Sequence, residues 1–170
     1  ATTGGTVPRL RRLSGGPDGP GIQPGDRVAT LAWNNYRHLE LYYAVPCMGA
    51  VLHTLNLRLF PQHLEFVIND AEDKVLFVDQ TLLPLLKPLI GKIPSVEHFV
   101  VMSNGTPLSD HGLGETLDYE TLPEAESEAY PCPKPSENMP AAMCSTPGPP
   151  PNPKGPGHPP RAPPPHPTGS

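Results

Sequence analysis

Thr146, Gly148, Lys154 and Gly155 are the residues of this chain whose types and spacing come nearest to a recognisable chemistry. They sit in the run Cys144-Ser145-Thr146-Pro147-Gly148-Pro149-Pro150-Pro151-Asn152-Pro153-Lys154-Gly155. A loop that cradles a polyphosphate uses flexible glycines, hydroxyls, free backbone N–H groups and one lysine, because those donors hold the anionic oxygens. The four residues meet that demand, and Lys154 is the expected phosphate cation. Pro147, Pro149, Pro150 and Pro151 oppose it, since each lacks an N–H and fixes φ at about −65°. The run reads as a phosphate-binding loop overwritten with proline, so its setting has to come from the elements that carry it.

Those elements alternate. Arg27 to Trp33 is short and apolar after Pro24-Gly25-Asp26, as expected for a buried strand. Asn34 or Asn35 is placed to cap a helix through Tyr36, Leu39, Leu41, Tyr42, Tyr43 and Val45, with Pro46 expected to kink it and Gly49 to end it. Val51 to Leu55 is a second strand, Pro61 opens a helix through Leu64, Phe66, Val67 and Ile68, and Lys74 to Val78 is a third strand. Thr81 to Ile90 is leucine-rich and helical in composition despite Pro84 and Pro88, and Val96 to Met102 is a fourth strand. Strand and helix in this order argue an α/β layer with a mostly parallel sheet. From Asn104 to Asn138 the chain is acidic and irregular, and Glu115, Asp118, Glu120, Glu124, Glu126 and Glu128 read as a solvated connection.

Gly25-Asp26-Arg27-Val28-Ala29-Thr30-Leu31-Ala32-Trp33-Asn34, then Val45-Pro46 with Gly49 to Leu59, Asn69 to Asp79 and Val96 to Met102 form a nearly continuous run from about Gln23 to Ser103. The run resumes at Ala141-Ala142-Met143-Cys144. Together they resemble the fatty-acyl-CoA synthetases (long- and medium-chain fatty-acid CoA ligases) of the AMP-binding, adenylate-forming family. In that family the loop looks like Thr-Ser-Gly-Thr-Thr-Gly-x-Pro-Lys-Gly. Thr146, Gly148, Pro153, Lys154 and Gly155 align with it, and the other defined positions have become proline.

The resemblance implies a partial N-terminal domain of the adenylate-forming fold with a disordered, proline-rich tail. It divides the chain into a degenerate helix and turn (1–22), the α/β core (23–103), the acidic connection (104–139) and the strand with its degenerate loop (140–170). The implied reaction joins a fatty acid or related carboxylate to coenzyme A through an acyl-adenylate, with ATP and Mg2+ as further requirements of the parent enzyme. Thr146, Gly148, Lys154 and Gly155 are the implied ATP phosphate ligands, and no catalytic or metal-binding residue is assigned. Family members are several times longer, so the isolated chain is expected to be inert and to bind none of these cofactors.

Composition bounds the remaining classes. With 27 prolines and 16 glycines in 170 residues, and proline recurring from Pro131 onward, the tail cannot bury a core. A net charge of −5 with scattered basic residues excludes a nucleic-acid surface. Three widely spaced cysteines, Cys47, Cys132 and Cys144, lead us to expect reduced thiols and a cytoplasmic protein. There is no apolar run long enough for a membrane span. His38, His53, His63 and His98 read as structural, and Trp33, Tyr36, Tyr42 and Tyr43 as packing residues. Gly16-Pro17-Asp18-Gly19-Pro20-Gly21 follows no strand and carries no dinucleotide turn. Two other readings stand beside the ligase. In one, Arg161-Ala162-Pro163-Pro164-Pro165-His166-Pro167 offers an RxxPxxP segment to an SH3-type domain. In the other, a truncated homologue forms a homodimer through the faces of its sheet.

Overall fold

The pattern of apolar residues resolves into a single parallel sheet in a computed structural model, which describes residues 21–104, 113–114, 116–120 and 141–144. Strand β1 (Arg27–Leu31) follows a turn closed at Gly25, where φ is +89°. Its residues alternate between two cores: Val28 faces one, Ala29 and Leu31 the other. Helix α1 (Tyr36–Cys47) returns the chain to β2 (Val51–Thr54), and helix α2 (Pro61–Ala71) carries it to β3 (Val75–Asp79). One-turn 3₁₀ segments at Gln80–Leu82 and Lys87–Leu89 flank the short helix α3 (Leu83–Leu86) before β4 (His98–Met102). Strands β5 (Thr116–Asp118) and β6 (Ala142–Cys144) complete the sheet.

The spatial order is β5-β4-β3-β1-β2-β6, and every pairing is parallel. The chain steps from β1 to β2 on one side and then back across β1 to β3 on the other, which is a doubly wound arrangement. Consistent with that reversal, α1 and α2 cover opposite faces. Leu41, Ala44 and Val45 of α1 pack with Val28, Leu52, Val75, Phe77 and Val100. Leu64, Val67 and Ile68 of α2 pack with Ala29, Leu31, Leu76, Val78 and Val101. A parallel sheet covered on both faces needs strands that are apolar on both sides, and β3 is buried at all five positions.

Local chemistry sets the boundaries. Asn35 caps α1, its side chain accepting from the His38 N–H at 3.1 Å. Pro46 does not break the helix, because it falls in the last turn, where few intrahelical bonds remain to be lost. The helix ends in a Schellman motif: the Ala50 N–H reaches the Val45 carbonyl at 3.2 Å and the Gly49 N–H the Pro46 carbonyl at 2.9 Å. Gly49 takes φ +76° there, and an added Cβ would stand 3.3 Å from Pro24. Pro61 opens α2, and Glu72 closes it at φ 53°, an uncommon left-handed conformation for a side-chain-bearing residue.

Four expectations are corrected. The Thr81–Ile90 stretch is split by Pro84 and Pro88 into short turns rather than one helix. The acidic connection contains β5, and the residue after it, Tyr119, is fully buried against Phe77. Trp33, Tyr36, Tyr42 and Tyr43 are not core residues but stand exposed. Cys47 is disulfide-bonded, against the expectation of reduced thiols throughout, because pairing depends on proximity in space and not on sequence interval. Cys144 is a free, exposed thiol. Among the described residues no helix is long and apolar enough to cross a membrane.

Candidate functional site

All six strands run the same way, so Leu31, Thr54, Asp79, Met102, Asp118 and Cys144 end at one edge of the sheet. In doubly wound sheets ligands bind at this edge, in the crevice where the strand order reverses. Here the reversal lies between β1 and β3, and protein hydrogen bonds fill it. The buried Asp79 carboxylate accepts from the Thr81 N–H (3.1 Å) and hydroxyl (2.8 Å) through one oxygen and from the Asn35 amide (3.3 Å) through the other. The Trp33 indole N–H donates to the same Thr81 hydroxyl at 2.9 Å. The loops after β1 and β3 are thereby stitched together.

On the neighbouring side of α1, Arg37 makes a second set of ties. Its Nε donates to Glu120 at 2.7 Å, Nη1 to the Asn104 side chain at 3.1 Å and Nη2 to the Ser103 carbonyl at 2.9 Å. The Ser103 hydroxyl donates to Asp118 at 3.0 Å, and the Tyr119 hydroxyl to Glu40 at 2.7 Å. Asp118 and Glu120, expected on a solvated face, instead bind β4, β5 and α1 to one another. The alternation of Leu117 and Tyr119 with polar residues was the sequence signal for this strand.

The open part of the edge lies on the other side, above β1, β2 and β6. A cleft of about 760 Å³ is lined there by Trp33, Asn34, His38, Thr54, Arg58 and Cys144, over a floor that includes Ala32 and Leu55. Cys144 pairs with Thr54 across the last register of β2 and β6, and the Thr54 hydroxyl and Cys144 Sγ are 2.9 Å apart. His38 is held by the Thr30 hydroxyl at 3.1 Å from Nε2 and packs against Tyr42 with ring centroids 5.1 Å apart. Burial lowers its pKa below the usual 6.5, which favours the neutral ring. No carboxylate among the described residues lines the cleft, and its hydroxyl, amide and guanidinium groups form a donor set suited to an anion such as a phosphate.

Thr146, Gly148, Lys154 and Gly155 lie outside the described residues, as do Cys132, Gly16 to Pro20 and the Arg161 to Pro167 segment. Of the run from Cys144 to Gly155 only Cys144 is described, and it lines the cleft. Among the remaining histidines, His53 takes part in the core. His53, one residue from Leu52 on β2, turns to the α2 face and meets Asp73 at 2.7 Å, both fully buried. Burial raises the Asp73 pKa above its usual 3.8 and the His53 contact opposes this, while Asp73 Oδ1 has no hydrogen-bond partner. Among the described residues no group of three His, Cys, Asp or Glu could hold a metal ion.

Comparison with known proteins supplies the context. The profile described as "AMP-binding enzyme" matches residues 9–158. The long-chain-fatty-acid–CoA ligase of Thermus thermophilus is 50% identical over 120 residues, which are 68% of this chain and 22% of that protein. The medium-chain-fatty-acid–CoA ligase of Ectopseudomonas oleovorans is 42% identical over 147 residues, 86% of this chain and 27% of that protein. The solved structure of coronafacic acid ligase from Pectobacterium brasiliense superimposes with a TM-score of 0.60 at 20% identity, covering 75% of this chain and 25% of that one, so it shares the fold. The chain thus spans about a quarter of the length of the curated relatives it matches.

Proposed function

Because this chain belongs to the AMP-binding enzyme family, we propose that it is the opening part of an ATP-dependent fatty acid–CoA ligase, with 23–103 as its α/β core and 140–170 as strand and phosphate loop. In the parent reaction the fatty-acid carboxylate attacks the α-phosphorus of ATP, the bond to the bridging oxygen breaks, and pyrophosphate leaves. The coenzyme A thiol then attacks the acyl carbon of the adenylate, and AMP departs with the bonding pair to its phosphate oxygen. The part of this chain in the first step is to hold the β- and γ-phosphates and to offset the charge that develops on pyrophosphate. Lys154 supplies the positive charge for this, Thr146 a hydroxyl, and Gly148 and Gly155 the room for backbone donors. Mg2+, when bound, would neutralise part of the same phosphate charge.

The observation that supports the reading is that β6 ends at Cys144 on the rim of a cleft lined by donors and free of carboxylates among the described residues. The chain by itself is inert in this proposal, because Pro147, Pro149, Pro150 and Pro151 remove loop donors and the partner elements of the relatives lie outside the matched region. ATP–pyrophosphate exchange with a medium- or long-chain fatty acid tests it. The 170-residue chain should give no exchange. The same chain fused to the remainder of the Thermus ligase, with Pro149→Thr, Pro150→Thr and Pro151→Gly, should give exchange that Lys154→Ala reduces by roughly 10²-fold or more. Acyl-adenylate formed by the isolated chain, or indifference of the fusion to Lys154→Ala, would overturn the reading. A cytoplasmic location belongs to the same proposal. Fractionation of cells that express the chain checks it, and recovery outside the cytoplasmic fraction would overturn it.

A further inference from the structure

Trp33 is the only tryptophan of the chain, and it lines the cleft while standing 51% exposed. Packing holds a half-exposed ring only in part, and the rest of the constraint falls on its one donor, the indole N–H. That donor reaches across 48 positions of chain to the Thr81 hydroxyl at 2.9 Å. Thr81 is itself exposed, and a hydroxyl free to rotate would meet water as readily as an indole. This one is committed. Its proton goes to Asp79 Oδ1 at 2.8 Å, which leaves its lone pairs for Trp33 and polarises the oxygen as an acceptor. Asp79 is fixed in turn: it is buried, it caps the 3₁₀ turn through the Thr81 N–H at 3.1 Å, and it accepts from the Asn35 amide at 3.3 Å. The Asn35 backbone N–H returns to the Trp33 carbonyl at 2.8 Å. Backbone and side chain of Trp33 therefore belong to one closed ring of hydrogen bonds.

We propose that Thr81 and Asp79 are positioning residues for the cleft, although neither of them lines it. Thr81 latches the Trp33 indole in place as the aromatic part of the wall, and Asp79 sets the Thr81 hydroxyl to accept. Two consequences follow from the chemistry. With its N–H spent on Thr81, Trp33 offers the cleft ring surface and no donor, so polar contacts on that side fall to its neighbour Asn34. The shape of the cleft above β1 is also governed from the turn after β3, on the far side of the strand reversal, and a change in that turn reaches the cleft through one hydroxyl. The proposal goes beyond the ligase reading and is independent of it, since nothing in the ring of bonds involves the run from Thr146 to Gly155.

The single tryptophan makes the test direct: acrylamide quenching of Trp33 fluorescence in the 170-residue chain, read below the urea transition of each variant. Thr81→Val keeps the outline of the side chain and removes the acceptor. It should shift the balance from latched to released indole by roughly 2- to 10-fold, the worth of one hydrogen bond, and raise quenching accordingly. The urea midpoint, set by the buried core, should stay near that of the unsubstituted chain. Thr81→Ser keeps the hydroxyl and should keep the original quenching. Asp79→Asn should raise quenching in the presence of Thr81 and add nothing beside Thr81→Val, because its influence on Trp33 runs through that hydroxyl. Unchanged quenching in Thr81→Val overturns the latch. So does a Thr81→Ser variant that behaves like Thr81→Val, which would assign the effect to packing of the methyl group. An Asp79→Asn effect that persists in full beside Thr81→Val overturns the part given to Asp79. If Thr81→Val fails to fold, Thr81→Ala carries the same comparison with the same outcomes.

Discussion

Helix α1 turns Tyr36, Leu39 and Tyr43 away from the sheet, whereas α2 turns out Gln62, Glu65, Asn69 and Asp70, with Phe66 as its large apolar exception. The two helices have similar lengths and equally buried inner sides, on opposite faces of one sheet. Their charged residues also behave differently. Arg37 and Glu40 of α1 are drawn into ties with β4, β5 and the residues after them. Glu65 of α2 makes only a long surface contact with Lys92 at 4.0 Å. The difference teaches that one face of the sheet meets solvent through polar side chains, whereas the other shows it an aromatic stripe while its charges are spent on ties within the chain.

The comparison can be broken first at the inner sides, where it asserts equality. Leu41→Ala and Ile68→Ala each remove a side chain that is fully buried, and each should cost about 2–5 kcal/mol in urea unfolding. A marked inequality would show that the two faces differ inside as well. Next, Arg37→Ala should cost about 1–3 kcal/mol, since it removes the donor to the buried Ser103 carbonyl and the ion pair with Glu120, while Glu65→Ala should cost under about 0.5 kcal/mol. Equal effects would erase the contrast in charge use.

A smaller effect separates the faces by pH. His38, on the α1 side, has a depressed pKa from burial, so its contribution is complete above 6.5 and is lost as pH falls through the folded value. Asp73, on the α2 side, has a pKa raised by burial against the pull of His53, so its contribution is complete below 3.8 and is lost as pH rises through the folded value. His38→Gln should therefore flatten the acidic fall in urea midpoint, and Asp73→Asn the fall on the other side. Finally, Glu72→Gly relieves a side-chain-bearing residue at φ 53° and should raise stability by about 0.5–1 kcal/mol, less whatever the exposed Arg27 contact contributes.

How much of this was legible in sequence follows from which residues carried a local signal. β1 to β4, α1 and α2 were readable because strand runs, Asn35 and Pro61 act within a few residues of themselves. β5 was missed because its three residues lie in an acidic context, and what ties them in is distant in sequence: β4 beside them, with Phe77 and Arg37 on the following Tyr119 and Glu120. The exposure of Tyr36 and Tyr43 was misread for the complementary reason: apolar periodicity records what a face is suited to touch, not what is present to touch it. Of the candidate site, the strand expected within 140–170 is present as β6, and it was legible through the family resemblance and not through local pattern. The cleft itself, which joins Trp33, His38 and Thr54, depends on the neighbour relation of β1, β2 and β6, and spacing alone does not reveal that relation.

The contact between Thr54 and Cys144 closes over 90 positions of chain, whereas β1, β2 and β3 meet across far shorter intervals. Pairings of low sequence separation form before those that must first close a long loop. The wall of the cleft is therefore the last piece of the sheet to arrive, both in refolding and as the chain leaves the ribosome. A nascent chain halted before Ala142 would already hold its helices against the sheet yet lack the Cys144 wall of its cleft. Closure of the cleft and early folding are thus separated in time, and substitutions around β6 should alter the cleft while leaving the rate of core formation as it was.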